Sequence, residues 1–174
     1  MMSVKQVLSF AAAVAFAAAA LPAAAQTVLN VNTALTTDDP MYAGLERMKA
    51  NVEQRSAGKL QIRIFPGSQL GKDEDVLEQA RAGANVAVLV DGGRLAPFVK
   101  EFGIMGAPYL VDNFEQVLRL QQSALFKGWV DKLRNAASLQ VLSFDWFQGH
   151  RHMLTNTPVK VPADLKGVRV RTPG

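Results

Sequence analysis

Residues 60–90 have the sequence LQIRIFPGSQLGKDEDVLEQARAGANVAVLV, and this stretch decides the fold class. It opens on apolar residues that alternate with polar ones, which is the pattern of a strand, and the turn at Pro66 ends it. The acidic residues 73–75 then begin a helix, where the positive end of the helix dipole favours them, and Gly83 ends that helix. The apolar run 86–90 predicts a strand that is covered on both faces. Strand, helix and strand in this order indicate a βαβ unit.

A similar pattern precedes this unit. Residues 28–32 predict another strand, and the apolar residues between positions 41 and 52 recur with the period of one helical face. The sequence therefore predicts an α/β fold with a largely parallel sheet and right-handed crossovers. Small ligands bind beyond the carboxyl ends of the strands in such sheets. This rule selects Asn32, Asp91 and the loop after Phe65.

Further elements are predicted downstream. Helices are expected at 114–121 and 125–135, strands at 139–144, 151–155 and 168–172, and a loop or short strand at 102–110. A strand at 168–172 would have no following helix and no partner strand within the sequence. We therefore expect the sequence to be a truncated product or a fragment of a longer chain.

The first 25 residues have the layout of a secretory signal peptide. Residues 1–6 are short and carry one lysine, residues 7–21 are uninterruptedly apolar, and small residues precede Gln26. The apolar run is shorter than the roughly 20 residues that a membrane-spanning helix needs. We expect cleavage after Ala25 and export of the mature protein out of the cytoplasm.

The composition excludes several classes of function. The 174 residues include no cysteine, so disulfides and thiolate chemistry are absent, and a formal net charge of +4 is too small to indicate nucleic-acid binding. No P-loop and no G-x-G-x-x-G motif occurs. His150 and His152 are the only histidines, and without an assured third ligand they make a weak metal site. A serine hydrolase or a metal-dependent hydrolase therefore has little support from the sequence, and we expect no metal and no cofactor.

Several stretches of the sequence resemble those of a known family. They are VEQRSAGKL at 52–60, FPGSQLG at 65–71, GANVAVLVDGGR at 83–94, and GHR at 149–151 with PVKVPADLKGVRVR at 158–171. In these motifs the chain resembles the extracytoplasmic solute receptors of tripartite ATP-independent periplasmic (TRAP) transporters, of the DctP type.

The resemblance implies a two-lobed, periplasmic-binding-protein-like α/β fold that closes on its ligand. After the signal peptide at 1–25, it implies a first lobe at 26–148, and a crossover with the opening strand of an incomplete second lobe at 149–174. It implies binding of a small organic acid, a carboxylate, and its delivery to the membrane permease subunits of a TRAP transporter, without catalysis. A receptor that feeds a sensor and a non-functional truncated remnant are the alternatives.

The resemblance also implies four solute-binding residues. Arg171, at the end of the L-K-G-x-x-x-R segment, is the implied carboxylate anchor, because a planar guanidinium offers two parallel N–H donors. Arg151 occupies the second arginine position of the family. Asp91 would accept a hydrogen bond from a ligand hydroxyl or amine, and Asn32 matches a cleft residue of some members. The alternatives are a solvated arginine for Arg171, a surface ion pair for Arg151, a turn cap or a pair with Arg94 for Asp91, and backbone hydrogen bonding for Asn32.

Overall fold

The computed structural model describes residues 26–146, 149 and 152–171. Its three strands are β1 (Thr27–Thr33), β2 (Leu60–Phe65) and β3 (Val86–Leu89). Its four α-helices are α1 (Pro40–Arg55), α2 (Asp73–Arg81), α3 (Phe114–Gln122) and α4 (Ala124–Ala137). Short 3₁₀ helices occur at Gly92–Leu95, Lys100–Gly106 and Pro162–Leu165. The predicted signal peptide lies outside the described residues.

The strands form one parallel sheet in the order β2-β1-β3. Asn32 of β1 lies opposite Phe65 of β2, and Thr33 of β1 lies opposite Leu89 of β3. The predicted parallel α/β arrangement is therefore confirmed. All three carboxyl ends meet at one edge of the sheet, which we call the carboxyl edge.

Local capping explains where two of the helices begin. Asp39 precedes α1 and accepts a hydrogen bond from the Met41 N–H at 2.8 Å, while Pro40 takes the first helical position, where no N–H is needed. Ser123 precedes α4 and accepts from the Phe126 N–H at 3.1 Å. Each cap satisfies a backbone donor that the first turn of a helix leaves without an intrahelical partner.

Two apolar clusters hold these elements together. The first joins α1 to β1 and β2 through the buried side chains of Leu45, Val31 and Ile62. The second joins α2, the two 3₁₀ helices after β3, α4 and the segment that follows it. Its buried members are Leu77, Leu95, Val99, Phe102, Phe126, Leu133, Ala137 and Leu139.

Three predicted strands are wrong where the structure describes them. Residues 139–144, 152–155 and 168–171 have irregular backbone and pair with no strand of the described chain. Alternating apolar residues favour extended backbone, but a strand also needs the N–H and C=O groups of a neighbour. Leu139 and Phe144 instead pack against the cluster around α4.

The segment 102–110 is predicted as a loop or short strand; residues 102–106 instead belong to the 3₁₀ helix Lys100–Gly106, and residues 107–110 form a loop as predicted. The fully buried Phe102 meets Phe126 edge-on, with 5.9 Å between the ring centroids. Within the described part of the chain, no helix combines the length and apolar character that crossing a bilayer requires.

Candidate functional site

The turn at residues 66–71, here called the edge turn, is bonded to the end of β1. The N–H of Gly67 donates to the Leu35 carbonyl at 2.8 Å, and the N–H of Ser68 donates to the Thr33 carbonyl at 2.9 Å. Ser68 has a φ of 59°, a left-handed conformation that is uncommon outside glycine. The bonds to β1 hold this turn against the carboxyl edge of the sheet.

Asn32 contributes its whole side-chain amide to the same turn. Its Oδ1 accepts a hydrogen bond from the Leu70 N–H at 3.1 Å, and its Nδ2 donates to the Gly71 carbonyl at 3.2 Å. The residue is 0% exposed. The structure therefore places Asn32 beneath the edge turn, bonded to backbone groups.

Asp91 and Arg94 lie where the chain leaves β3. Asp91 precedes the 3₁₀ helix Gly92–Leu95 and is exposed, and its carbonyl accepts from the Arg94 N–H at 3.0 Å. The Arg94 guanidinium turns toward the start of α2, where its Nε lies 3.5 Å from Asp73 Oδ2 and its Nη1 bonds Glu74 Oε1. Arg94 and the carboxylates of Asp73, Glu74 and Asp91 thus lie together at the carboxyl edge.

Burial and the nearby charges together shift the pKa of Asp73, and only the positive charge of Arg94 opposes the rise. Desolvation raises the pKa of this carboxyl above its ordinary value, the positive charge of Arg94 lowers it, and the negative charges of Glu74 and Asp91 raise it. The side chain is 11% exposed, and within the described residues its Oδ1 is buried without a hydrogen-bond partner. The pKa of Glu74 is lowered, first by a backbone hydrogen bond at its own position and also by Arg94.

Two aromatic side chains from residues 139–146 pack beside this edge. A methyl group placed on Gly92 would lie 2.8 Å from Phe144 Cε2, and one placed on Gly44 would lie 3.0 Å from Trp146 Cζ3. Both glycines therefore allow a ring to approach the backbone closely. The result is an edge with charged groups beside an aromatic flank.

The four predicted binding residues have different placements. Asn32 and Asp91 both lie at the carboxyl edge, as the rule for parallel sheets predicts. Arg171 is exposed. Arg151 falls outside the described residues, so the structure gives no position for it.

Sequence reasoning did not select Asp73 and Arg94 as site residues. A signal for them was present, because an acidic first turn follows the edge turn and a lone arginine follows the polar end of β3. No group of three or more histidine, aspartate or glutamate side chains in the described residues is arranged to hold a metal ion. His152 is exposed, and His150 lies outside the described range.

Comparison with known proteins gives the family. Residues 31–174 match DctP, the bacterial extracellular solute-binding protein family 7. The C4-dicarboxylate-binding periplasmic protein DctP of Rhodobacter capsulatus is 28% identical over 156 residues, which are 88% of this chain and 46% of that protein. The chain thus spans about half the length of this curated relative.

Solved structures agree with this match. A TRAP periplasmic solute-binding protein from Escherichia fergusonii, in an open form without ligand, is 44% identical with a TM-score of 0.73, over 82% of this chain and 48% of that one. A counterpart from Desulfovibrio salexigens in complex with diglycerolphosphate is 26% identical with a TM-score of 0.81, over 86% and 48%. The predicted fold class and resemblance are confirmed: the chain belongs to the family 7 bacterial extracellular solute-binding proteins and has the α/β fold of part of a TRAP periplasmic binding protein.

Proposed function

We propose that this chain supplies one wall of a periplasmic receptor that captures a small organic acid and delivers it to a TRAP-type permease. The observation that carries the proposal is the carboxyl edge, where Asp91 and the Arg94–Asp73 pair meet at the ends of parallel strands. Open parallel sheets bind small ligands at this position. Membership of the solute-binding family makes capture, and not turnover, the function that fits this edge.

The ligand would be an anion with a planar acid group, held chiefly by Arg171. A guanidinium keeps its charge and offers two parallel donors, which fit a carboxylate better than a lysine ammonium does. Arg151 would bind the same acid group or a second polar group of the solute. Asp91 would accept hydrogen bonds from hydroxyl or amine groups on the body of the solute.

The relatives support an anionic ligand without fixing its class. One is named for C4-dicarboxylates, and another is bound to diglycerolphosphate, which is a phosphodiester. Both acid groups suit bidentate recognition by arginine. We favour the carboxylate, because it is the acid group for which the DctP protein of Rhodobacter capsulatus is named.

Export and partners follow from the same proposal. Residues 1–25 would direct the chain across the inner membrane and be removed after Ala25. The receptor would then meet the permease subunits outside the cytoplasm, without a cofactor and without nucleic acid.

A panel of solutes tests this function on the purified, exported chain. Succinate, gluconate, glycerol 3-phosphate and succinamide would each be titrated in millimolar amounts while backbone amide signals are followed by NMR. We expect the carboxylates to shift the signals of Asp91 and Arg171, and we expect no shift from succinamide, the uncharged diamide of succinate. Equal shifts from all four compounds, or none from either carboxylate, would contradict the proposal.

A further inference from the structure

We propose that Asn32 is a positioning residue, which holds the edge turn and thereby sets where Asp73 lies relative to Arg94. The inference deepens the proposed function and rests on it only in treating the carboxyl edge as the side that faces the solute. It also assigns Asn32 a role other than the direct solute contact that the family resemblance implies.

Both polar atoms of the Asn32 side chain are already in use. The amide oxygen accepts from Leu70 and the amide nitrogen donates to Gly71, at 3.1 Å and 3.2 Å. Among side chains of this size, only an amide both accepts and donates in this way, because aspartate has no donor when ionised and leucine has neither group. At 0% exposure, the remaining donor and acceptor capacity of the Asn32 amide is out of reach of a solute in this conformation.

Helix α2 has no side-chain cap of its own. Lys72 is the residue before its first turn, and no side-chain hydrogen bond caps the helix there. Gly71, one residue earlier, has a φ of 121°, which favours glycine. The bond from Asn32 to the Gly71 carbonyl fixes the chain two residues before the helix starts, ahead of the uncapped residue Lys72.

Asp73 is the first residue of this helix, so its place depends on that fixed point. Its side chain is 11% exposed, and its Oδ2 lies 3.5 Å from Arg94 Nε. A small movement of the edge turn would alter both the burial of the carboxyl and this contact. Arg94, Glu74 and Asp91 are the charged groups that act on Asp73, and they come from α2 and from the segment after β3.

The expected effect of releasing the turn follows from the largest cause of the Asp73 shift. Burial raises the pKa of Asp73, so greater exposure lowers that pKa toward its ordinary value. A weaker contact with Arg94 would raise the pKa, but burial is the larger of the two effects. The predicted net change is a downward shift.

The test is a carboxyl-carbon NMR titration of Asp73 without solute, in the wild type and in Asn32→Leu and Asn32→Ala. Leucine keeps the branched four-atom shape of the side chain and removes both hydrogen bonds, and alanine removes both without adding bulk. Ile62→Val is the matched control, because it trims a residue of 3% exposure on the neighbouring strand without touching the edge turn. We expect the pKa of Asp73 to fall in both Asn32 variants and to stay at its wild-type value in Ile62→Val.

If Asn32 only stabilised the fold and did not position Asp73, the variants would give a different result. Asn32→Leu would then lower the thermal midpoint as Ile62→Val does, and would leave the Asp73 titration unchanged. A folded Asn32→Leu with an unchanged Asp73 pKa overturns the inference. Since no solute is present, this failure would leave the solute titrations unaffected.

A measurement on the wild-type chain covers the case in which the Asn32 variants do not fold. We expect the Leu70 amide hydrogen to exchange with solvent as slowly as amides of β1, because its acceptor is a buried side chain. Exchange of the Leu70 amide at the rate of exposed loop amides would contradict the anchoring of the turn.

Discussion

Arg94 and Asp73 join the segment after β3 to the start of the helix that connects β2 with β3, with Nε 3.5 Å from Oδ2 although the residues lie 21 positions apart in the sequence. Asp73 opens α2 and Arg94 follows β3, so the contact forms only when both segments reach the carboxyl edge. The pair is partly buried, since the arginine side chain is 26% exposed and the aspartate 11%. Partly buried pairs contribute more than exposed ones, because solvent screens them less.

Replacing Arg94 should therefore affect both stability and titration. Arg94→Gln is expected to lower the free energy of unfolding by about 1–2 kcal/mol, because it leaves Asp73 buried without its cation. The same change should raise the pKa of Asp73 further, since Arg94 lowers it. Urea denaturation and carboxyl NMR measure the two effects.

The chain offers a matched control for this prediction. Arg81 pairs with Glu78 on the surface of α2, with side-chain exposures of 53% and 52%. Arg81→Gln should change the free energy of unfolding by less than about 0.5 kcal/mol. Equal losses of unfolding free energy in the two arginine variants would show that the Arg94 pair stabilises the fold no more than an exposed ion pair does.

Asp73 also predicts the sign of a pH dependence. Its pKa is raised in the folded state, so its contribution to stability is complete below the ordinary aspartate pKa and is lost as the pH rises through the folded-state pKa. The stability of the wild type relative to Asp73→Asn should therefore fall with rising pH across the acid range. Urea midpoints at a series of pH values measure this difference.

The pKa of Asp164 is shifted in the opposite direction to that of Asp73. The N–H groups of Lys160 and Val161 donate to its Oδ2 at 2.9 Å and 3.1 Å and lower its pKa. Its contribution to stability is present above the ordinary aspartate pKa and is lost as the pH falls through the folded-state value. The stability of the wild type relative to Asp164→Asn should rise with pH. Parallel slopes for Asp73→Asn and Asp164→Asn would contradict the assignment of the two environments.

Gly92 should not accept a side chain. A methyl group there would lie 2.8 Å from Phe144 Cε2 and 3.3 Å from Met105 Cβ, so the ring would have to move out of its contact with Phe126. We expect Gly92→Ala to lower the free energy of unfolding by about 1–3 kcal/mol, as overpacking does. Thermal unfolding measures the loss, and adding Phe144→Leu should restore part of it.

Gly128 separates overpacking from the general effect of adding a methyl group. It lies within α4, and a Cβ there would have no heavy atom within 4 Å outside its neighbours and its own helix. Gly128→Ala should raise the free energy of unfolding by about 0.5–1 kcal/mol, because alanine favours the helix. A loss at Gly128 equal to that at Gly92 would refute the close contact with Phe144.

The elements that sequence patterns predicted correctly are those whose signals are local. The alternation in residues 60–65 and the acidic start of α2 are each contained within one segment, and both elements form where predicted. Strand formation at 139–144 depended on a distant partner, which the apolar pattern cannot specify. The structure uses Leu139 and Phe144 for packing against α4 instead.

In the candidate site too, placements with a local sequence signal could be predicted, and contacts between distant segments could not. The position of Asp91 at the carboxyl edge followed from a rule of parallel sheets and a single polar residue after a strand. The bonds of Asn32 to Leu70 and Gly71 span 38 and 39 positions of sequence, and they depend on the register of β1 with the turn after β2. The sequence pattern identified Asn32 as a polar strand end but contained no sign of these partners.

The central claim is that the guanidinium of Arg171 anchors the acid group of the solute. The most direct measurement is the affinity of the exported chain for the carboxylate that binds most tightly in the NMR titrations, compared between Arg171→Lys and Arg169→Lys. Both positions are exposed and lie in one segment, so the two variants make the same substitution in similar surroundings. We predict that Arg171→Lys weakens binding by about tenfold or more, because lysine cannot form the two parallel hydrogen bonds, and that Arg169→Lys leaves the affinity within about twofold. Unchanged affinity in Arg171→Lys, or an equal loss in both variants, would contradict the claim.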